Sequence, residues 1–227
     1  QSMADVLYKN GIRSELLIWE HGVEADRFNP AKRSLEWRRR LGFADDDRVV
    51  AFVSRLVTEK GLDVFRQVIQ RLTADGVSHK ALLVGAGPME AELRQALPNA
   101  IFTGHLKGNA LAQAFASADV FLFPSDTETF GLVTLEAMAS GLPAICADAT
   151  GSKELVQPGI TGFLAPSKDV DAFYQATRTI LEDQALRKRM SEEAVLRARM
   201  YDWDSIMQKI ERYYENMIAS FSAISGH

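Results

Sequence analysis

The sequence predicts an α/β protein with a doubly wound parallel sheet, and two observations support this fold class. Short apolar runs such as residues 49–53 are apolar on both faces, as strands inside a parallel sheet are. Single amphipathic helical segments separate these runs, which implies right-handed crossovers and helices on both faces of the sheet. One Rossmann-like domain therefore accounts for nearly everything from residue 16 to residue 166.

The elements follow one another in a regular alternation. The predicted strands are residues 16–19, 49–53, 81–84, 101–102, 119–123, 143–147 and 162–164. The predicted helices are residues 3–11, 34–41, 62–72, 89–97, 111–116, 131–140 and 152–156, and after residue 164 the chain is expected to be helical to its end. Ser34 is expected to cap one helix at its start, and Gly141 to end another.

The last helix carries an apolar stripe at three- and four-residue steps. Its members are Ile206, Ile210, Tyr213, Met217 and Phe221, widened by Tyr214 and Ile218. The stripe fits packing against this domain or against a second domain, and the pattern leaves both open. The expected divisions are an N-terminal helix at 1–14, associated with an acceptor domain, a donor-binding domain at 15–200, and a C-terminal helix at 201–227.

Composition favours an ordinary globular protein. The 227 residues are 47% hydrophobic and 25% charged, and the net charge of −4 does not favour nucleic-acid binding. The basic run Arg38 to Arg40 is interpreted as a solvated helix face. Cys146, the one cysteine, fits a reducing compartment, and burial is favoured over reactivity. No apolar run reaches membrane-spanning length. We expect a cytoplasmic protein, with peripheral contact at the inner face of the membrane the most it would make.

The stretch from residue 121 to 141 organises the rest of the chain. An apolar strand ends at Pro124, a polar loop follows, and Gly131 opens a helix. The amides around residues 130–133 have no partner within that helix and carry the positive end of its dipole, so an anion such as phosphate is expected there. Glu128 and Glu136, eight positions apart, flank the helix start.

Other loops at strand ends also indicate an anion site, because ligands of doubly wound sheets bind beyond the carboxyl ends of the strands. Arg55 and Lys60 lie in the loop at 54–61, and Lys60 stands just before a helix start, where its charge opposes the dipole. A bound anion would remove that conflict. Two solvated surface charges are the alternative.

Several other features of the sequence are weaker indicators of function. The turn at Gly85 and Gly87 lacks the third small residue of a dinucleotide fingerprint, since Glu90 occupies that position, so nicotinamide binding is rejected. The histidines show no metal-ligand spacing, although His105 lies in a strand-end loop. Glu128 fits a surface loop as well as a functional role. Glu136 lies in a mostly apolar helix, where a carboxylate needs donors such as sugar or ribose hydroxyls.

Four motifs in order resemble the nucleotide-sugar-binding half of a family 4 glycosyltransferase, a retaining GT-B enzyme. They are HGVEADRFNP at 21–30, SRLVTEKG at 54–61, VGAGP at 84–88 and PSDTETFGLVTLEAMASGLP at 124–143. The resemblance covers residues 17 to about 214, and the last motif is highly specific. His21, Glu24 and Ser54 differ from the residues usual in the family. These differences bear on the finer shape of the phosphate-binding loop and not on the family itself.

The resemblance implies a role for each matching position. Arg55 and Lys60 would grip the donor diphosphate, helped by the amides of Phe130, Gly131 and Leu132. Glu136 would hold the ribose hydroxyls, and Glu128 the hydroxyls of the transferred sugar. Leu106 would pack against the base. Glu128, Arg55 and Lys60 are the expected catalytic residues.

The implied reaction moves a hexose from a UDP- or GDP-sugar to an acceptor hydroxyl with retention of configuration, without a metal ion or other cofactor. The acceptor would be a saccharide or a lipid-linked molecule. GT-B enzymes also have an N-terminal acceptor domain, so we expect this chain alone to bind donor without efficient transfer. A GT-B epimerase of nucleotide sugars and a non-catalytic nucleotide-binding module are the alternatives.

Overall fold

A single parallel sheet of six strands forms the centre of the protein. The computed structural model describes residues 7–13, 16, 21–149 and 151–225. The strands are β1 (Val49–Val53), β2 (Lys80–Val84), β3 (Ile101–Gly104), β4 (Val120–Phe123), β5 (Ala144–Ala147) and β6 (Gly162–Ala165). Their order across the sheet is β3-β2-β1-β4-β5-β6, and every neighbouring pair is parallel. The predicted doubly wound α/β fold is confirmed.

The order of the strands reverses between β1 and β4. β1 pairs with β2 along its whole length and with β4 on its other side. Every residue of β1, β4 and β5 is buried, which explains why these runs are apolar on both faces. The chain leaves β1 and β4 toward opposite sides of the sheet, so a crevice opens beyond their carboxyl ends.

Nine α-helices are described in full. They are α1 (Leu35–Arg40), α2 (Leu62–Ala74), α3 (Glu90–Ala96), α4 (Gly108–Ala116), α5 (Leu132–Ala139), α6 (Ser152–Leu155), α7 (Val170–Glu182), α8 (Gln184–Arg199) and α9 (Trp203–Ser225). Residues 7–9 are also helical, and a turn at Asn10 and Gly11 ends that segment.

Local sequence accounts for two of these helices directly. The Ser34 hydroxyl accepts a hydrogen bond from the Trp37 amide at 3.1 Å, as predicted for the cap of α1. The predicted stripe of α2 is buried: Leu62, Phe65, Val68, Ile69 and Leu72. α5 differs from both, because apolar residues surround it and α8 packs against it. A helix covered in this way is held firmly at the edge of the crevice.

One expectation from the basic run was wrong. Arg38 is completely buried rather than solvated. Its Nη1 donates to the Ser117 carbonyl at 2.7 Å and to the Asp119 carboxylate at 3.1 Å. These fixed acceptors offset the cost of removing the charge from water. Arg39 and Arg40 are exposed, as the solvated-face interpretation required.

The structure describes the two ends of the chain only in part. Most of the first predicted strand, at residues 17–19, lies outside the described residues, as do residues 3–6 of the first predicted helix. In α9, Ile206 and Ile210 are buried against the domain, while Tyr214, Met217 and Ile218 are exposed. The predicted domain divisions stay predictions.

Candidate active site

A cavity of about 460 Å³ lies beyond the carboxyl ends of β1 and β2, beside the point where strand order reverses. Its walls come from the loop after β1, the turn after β2, the loop after β3, the loop after β4 and the first turns of α5. The lining residues are Val53, Ser54, Arg55, Lys60, Val84, Gly85, Ala86, His105, Leu106, Leu111, Glu128, Leu132, Val133 and Glu136. Six of the eight predicted site residues thus meet at one cavity.

The loop before α2 carries Lys60 into this cavity. A short 3-10 turn at Thr58–Lys60 is followed by Gly61 in the left-handed region at φ 73°. A Cβ at Gly61 would lie 2.5 Å from the Pro124 carbonyl oxygen, so only glycine allows the loop to approach the end of β4 this closely. The close approach places Lys60 next to the loop that follows β4.

Lys60 and Glu128 form an ion pair across these two loops. The Lys60 Nζ lies 2.5 Å from Glu128 Oε1, and the two side chains are only 15% and 14% exposed. The buried Ser125 hydroxyl donates to the same carboxylate oxygen at 3.3 Å. Thr127 donates through its hydroxyl to the Glu59 carbonyl at 3.3 Å and joins the loops a second time. The structure therefore holds the lysine and the carboxylate in fixed positions at the cavity wall.

The start of α5 is open to a ligand. Gly131 precedes the helix at φ 89°, and no side chain caps the first amides. On its far side the backbone is held tightly, because a Cβ at Gly151 would lie 2.9 Å from the Phe130 carbonyl carbon and 3.0 Å from the Gly131 nitrogen. Leu132, the first helical residue, is 41% exposed and lines the cavity. The positive end of the helix dipole thus faces solvent at this position.

The Phe130 ring itself packs away from the lining residues. Its centroid lies 5.4 Å from that of His21 and 6.2 Å from that of Tyr201. His21 in turn meets the Trp203 ring edge to face at 6.4 Å. This aromatic cluster braces the loop from residues outside the sheet, so Phe130 would contribute its backbone to a ligand and its side chain to packing.

Glu136 lies farther along α5 and lines the same cavity. It is half-buried, and its carboxylate forms no hydrogen bond or ion pair with any described residue. Burial, reinforced by the negative charge of Glu24, raises the pKa of Glu136 to about 7, while Arg27 opposes the rise. An acceptor without a donor at the wall of this cavity suits a ligand that carries hydroxyl groups.

Arg55 is the least constrained of the predicted residues. Its side chain is 73% exposed, and its nearest ionic partner is Glu59 at 3.9 Å. It lines the cavity without being anchored to it. Its predicted grip on a diphosphate stays a prediction, and a bound anion would have to draw the guanidinium inward.

The turn after β2 explains the glycines of the VGAGP motif. A Cβ at Gly85 would lie 1.9 Å from the Ser54 carbonyl oxygen, and one at Gly87 would lie 2.3 Å from that of Leu56. The glycines thus serve close contact between two loops, in agreement with the rejection of a dinucleotide fingerprint. Leu106 is half-buried at the rim, and the neighbouring His105 is exposed.

Sequence reasoning missed two contributors to this region. Ser125 was treated only as part of a polar loop, yet it is 1% exposed and bonds to Glu128. Glu24 was noted only as a departure from a family motif, yet its charge acts on Glu136. A polar residue directly after a buried strand was the available signal for Ser125. No local signal could have placed Glu24, which is distant in the chain.

Cavity volume alone would indicate a different ligand site. A wider cleft of about 830 Å³ lies at the opposite edge of the sheet, near Phe43, Lys80 and Ile101. None of the predicted residues lines it, and ligands of parallel sheets bind at the carboxyl edge. In the part of the chain that the structure describes, no cluster of three His, Cys, Asp or Glu side chains is arranged to hold a metal ion. No described helix is long and apolar enough to cross a bilayer.

A doubly wound sheet with an open helix start, a mostly buried lysine and two carboxylates around one crevice defines a class of α/β proteins that bind phosphorylated ligands. Comparison with known proteins makes this class specific. The family described as "Glycosyl transferases group 1" matches residues 34–197, and the chain belongs to that family. The predicted resemblance to GT-B glycosyltransferases is confirmed.

Individual relatives support the same family assignment. The chain is 37% identical over 203 residues to sulfoquinovosyl transferase SQD2 of Arabidopsis thaliana, which covers 87% of the chain and 39% of that protein. It is 32% identical over 215 residues to a GDP-mannose-dependent alpha-mannosyltransferase of Corynebacterium glutamicum, covering 95% of the chain and 51% of that protein. Anabaena Alr3699/HepE, crystallised with UDP-glucose, superposes with a TM-score of 0.81 at 25% identity, covering 95% of the chain and 62% of the other. The chain thus spans about half or less of the length of these two curated relatives.

Proposed function

We propose that this domain binds the nucleoside diphosphate sugar donor of a retaining hexosyltransferase. The observation that carries the proposal is that Lys60, the uncapped start of α5 and Glu136 meet at one cavity, where Glu136 has no partner among the described residues. Each feature suits a different part of such a donor: a cation and amides for the diphosphate, and a carboxylate for hydroxyl groups. Family membership supports the same chemistry.

The diphosphate would lie between Lys60 and the amides of Phe130, Gly131 and Leu132, with Arg55 closing over it. When the bond from the anomeric carbon to the phosphate oxygen breaks, negative charge builds on the departing diphosphate. Preorganised cations and amide dipoles stabilise that charge without rearranging at the moment of reaction. Lys60 suits this role because its ammonium is mostly shielded from water.

The sugar and nucleoside would be held by the two carboxylates. Glu136 would accept hydrogen bonds from the ribose hydroxyls, which would supply the donors it lacks. Glu128 would accept from hydroxyls of the transferred hexose through the oxygen that does not already bond to Lys60 and Ser125. Leu106 would pack against the base. A UDP- or GDP-sugar is the proposed donor, since relatives of both kinds are known.

No metal ion is needed in this proposal, because Lys60, Arg55 and the helix amides supply the positive charge. The acceptor, a saccharide or a lipid-linked molecule, would bind elsewhere in the complete protein. Because the chain spans 39% and 51% of the two curated relatives named above, we expect it to bind donor without efficient transfer by itself.

Titration calorimetry with UDP-glucose and GDP-mannose in the presence of EDTA tests the proposal. We expect one of the two donors to bind with 1:1 stoichiometry, and Lys60→Ala and Arg55→Ala to weaken it at least tenfold. Arg178→Ala is the matched control, because Arg178 also forms an exposed pair one helical turn away, with Glu182 at 3.0 Å, and lines none of this cavity. Unchanged affinity in both site variants, or loss of binding with EDTA, would contradict the proposal.

A further inference from the structure

A second, smaller cleft lies on the opposite edge of the sheet, away from the candidate active site. It has a volume of about 270 Å³ and is formed where the end of α5, the start of α8 and the residues before β4 meet. Arg33, Arg187, Lys188 and Ser140 are among its lining residues, and we call it the basic cleft. One water needs roughly 10–15 Å³ of such space, so a larger group fits in the cleft.

Positive charge in the basic cleft exceeds what the protein neutralises. The one acidic residue that lines it, Asp119, already accepts hydrogen bonds from Arg33 Nη2 at 2.9 Å, Arg38 Nη1 at 3.1 Å and the Val49 amide at 2.8 Å. Lys188 has no ionic or hydrogen-bonding partner among the described residues. The chain as a whole carries a net charge of −4, so this excess of cations is local.

The guanidinium of Arg187 is held in place with donors to spare. Its Nη1 donates to the carbonyls of Ile180 at 2.9 Å and Leu181 at 3.1 Å, near the end of α7. Its Nε and Nη2 bond to nothing else that the structure describes. Burial lowers the pKa of Arg187, and the nearby cations Arg48 and Arg33 also lower it, against the opposing charges of Asp119 and Asp183. A bound anion would reduce the repulsion between these positive charges.

Ser140 supplies the second, independent sign of a ligand. The residue is 3% exposed, and its hydroxyl finds no hydrogen-bond partner in the described part of the chain. The neighbouring Ser191 is satisfied, because it donates to the Gly141 carbonyl at 2.6 Å. A buried hydroxyl without an acceptor lowers stability, and this one would reach a ligand in the cleft once its side chain turns about χ1.

We propose that the basic cleft binds a phosphate group, either inorganic phosphate or the phosphate of a small phosphorylated metabolite. Arg187 would form a paired interaction through Nε and Nη2, a geometry that guanidinium groups favour with phosphate. Lys188 would add charge from the exposed side, and the Ser140 hydroxyl would donate after its side chain has turned toward the cleft. This site is separate from the diphosphate position of the proposed donor.

Titration with orthophosphate at constant ionic strength, with UDP or GDP present at saturation to occupy the first cavity, tests the proposal on the whole chain. Amide chemical-shift mapping locates the bound ion. We expect saturable binding, with the largest shifts at Ser140, Gly141 and residues 184–191. Arg187→Gln should weaken binding at least tenfold and Ser140→Ala about threefold, and Lys188→Gln provides an exposed change that does not threaten the fold.

The control is Arg189→Gln, an exposed cation on the same helix that does not line the cleft. It should leave phosphate affinity unchanged, and all four variants should leave nucleotide affinity unchanged. Glycerol 3-phosphate separates the two sources: tighter binding than orthophosphate indicates a phosphorylated metabolite, and equal binding indicates the free ion. Non-saturable binding, or equal phosphate affinity in the wild type, Arg187→Gln and Lys188→Gln, would overturn the proposal.

Discussion

The two carboxylates of the candidate active site have opposite surroundings. Glu128 belongs to a loop and is satisfied by Lys60 at 2.5 Å and by the Ser125 hydroxyl at 3.3 Å. Glu136 belongs to a well-packed helix and has no partner among the described residues, and its pKa is raised to about 7. One carboxylate therefore helps to hold the protein together, while the other weakens it in the absence of a ligand.

This difference separates the structural part of the site from the part that awaits a ligand. Removing the partner of Glu128 should destabilise the protein, whereas neutralising Glu136 should stabilise it. A site that accepts some loss of stability at a binding residue is common, because binding residues are selected for the ligand and not for the empty state. The contrast can be tested at each residue in turn.

The largest effect is expected at Lys60. Lys60→Met keeps the aliphatic stem but leaves the Glu128 carboxylate without its cation, and loss of one partner of a buried pair costs roughly 3–5 kcal/mol. Because some exposure remains on both sides, we expect a loss of about 3 kcal/mol in the free energy of unfolding, measured with urea. The Lys60→Met, Glu128→Gln double variant should recover most of it. A single variant as stable as the wild type would show that the pair contributes nothing.

Glu136→Gln should have the opposite sign. A rise in pKa from 4.5 to about 7 corresponds to an upper limit of roughly 3.4 kcal/mol. Partial exposure reduces this, so the variant should gain about 2 kcal/mol at pH 8. The same change should weaken donor binding about tenfold, because an amide accepts hydroxyl hydrogen bonds less strongly than a carboxylate. Calorimetry and urea unfolding on one preparation measure both, and a less stable variant would contradict the assignment.

The stability difference between Glu136→Gln and the wild type should also depend on pH. In the wild type the folded state binds the Glu136 proton more tightly than the unfolded state does, so the favourable contribution is complete below pH 4.5 and is lost as pH rises through 7. The two melting temperatures should therefore agree near pH 4.5 and separate up to pH 8. A difference that is constant across this range would exclude titration of Glu136 as its cause.

The smallest effect on stability is expected at Arg55. Its side chain is 73% exposed and lies 3.9 Å from Glu59, and exposed ion pairs contribute about 0.2–1 kcal/mol, the least at long distances such as this one. Arg55→Ala should change the free energy of unfolding by less than about 0.5 kcal/mol. Donor affinity should nevertheless fall, which would place Arg55 with the ligand-dependent part of the site. A large loss of stability would show a structural role that its exposure does not suggest.

Much of the fold could be predicted from local patterns of apolar and polar residues. Strands buried on both faces, such as β1, and a helix with one apolar stripe, such as α2, show their structure in the residue order itself. The start of α5 was also predicted, from Gly131 after a polar loop and the apolar residues that follow it. The six residues that meet at the cavity could be grouped since strand ends of a parallel sheet share one edge.

The remaining features depend on contacts between distant segments. Arg38 is buried because Ser117 and Asp119, about 80 positions away, supply its acceptors, and no local pattern shows this. The pairing of Lys60 with Glu128 joins two loops 68 positions apart. Charge-bearing side chains are the hardest to place from sequence, because their burial is decided by partners that only the tertiary fold brings near.

The contact between residues 21–23 and 201–203 has a mechanical consequence. The Val23 amide donates to the Tyr201 carbonyl at 2.8 Å, and a Cβ at Gly22 would lie 2.6 Å from the Trp203 ring. Residues 21–23 and the start of α9 are therefore in close contact at this point. His21 and Tyr201 both touch the Phe130 ring there. A twist applied to either segment would therefore be transmitted to the loop that contains Phe130.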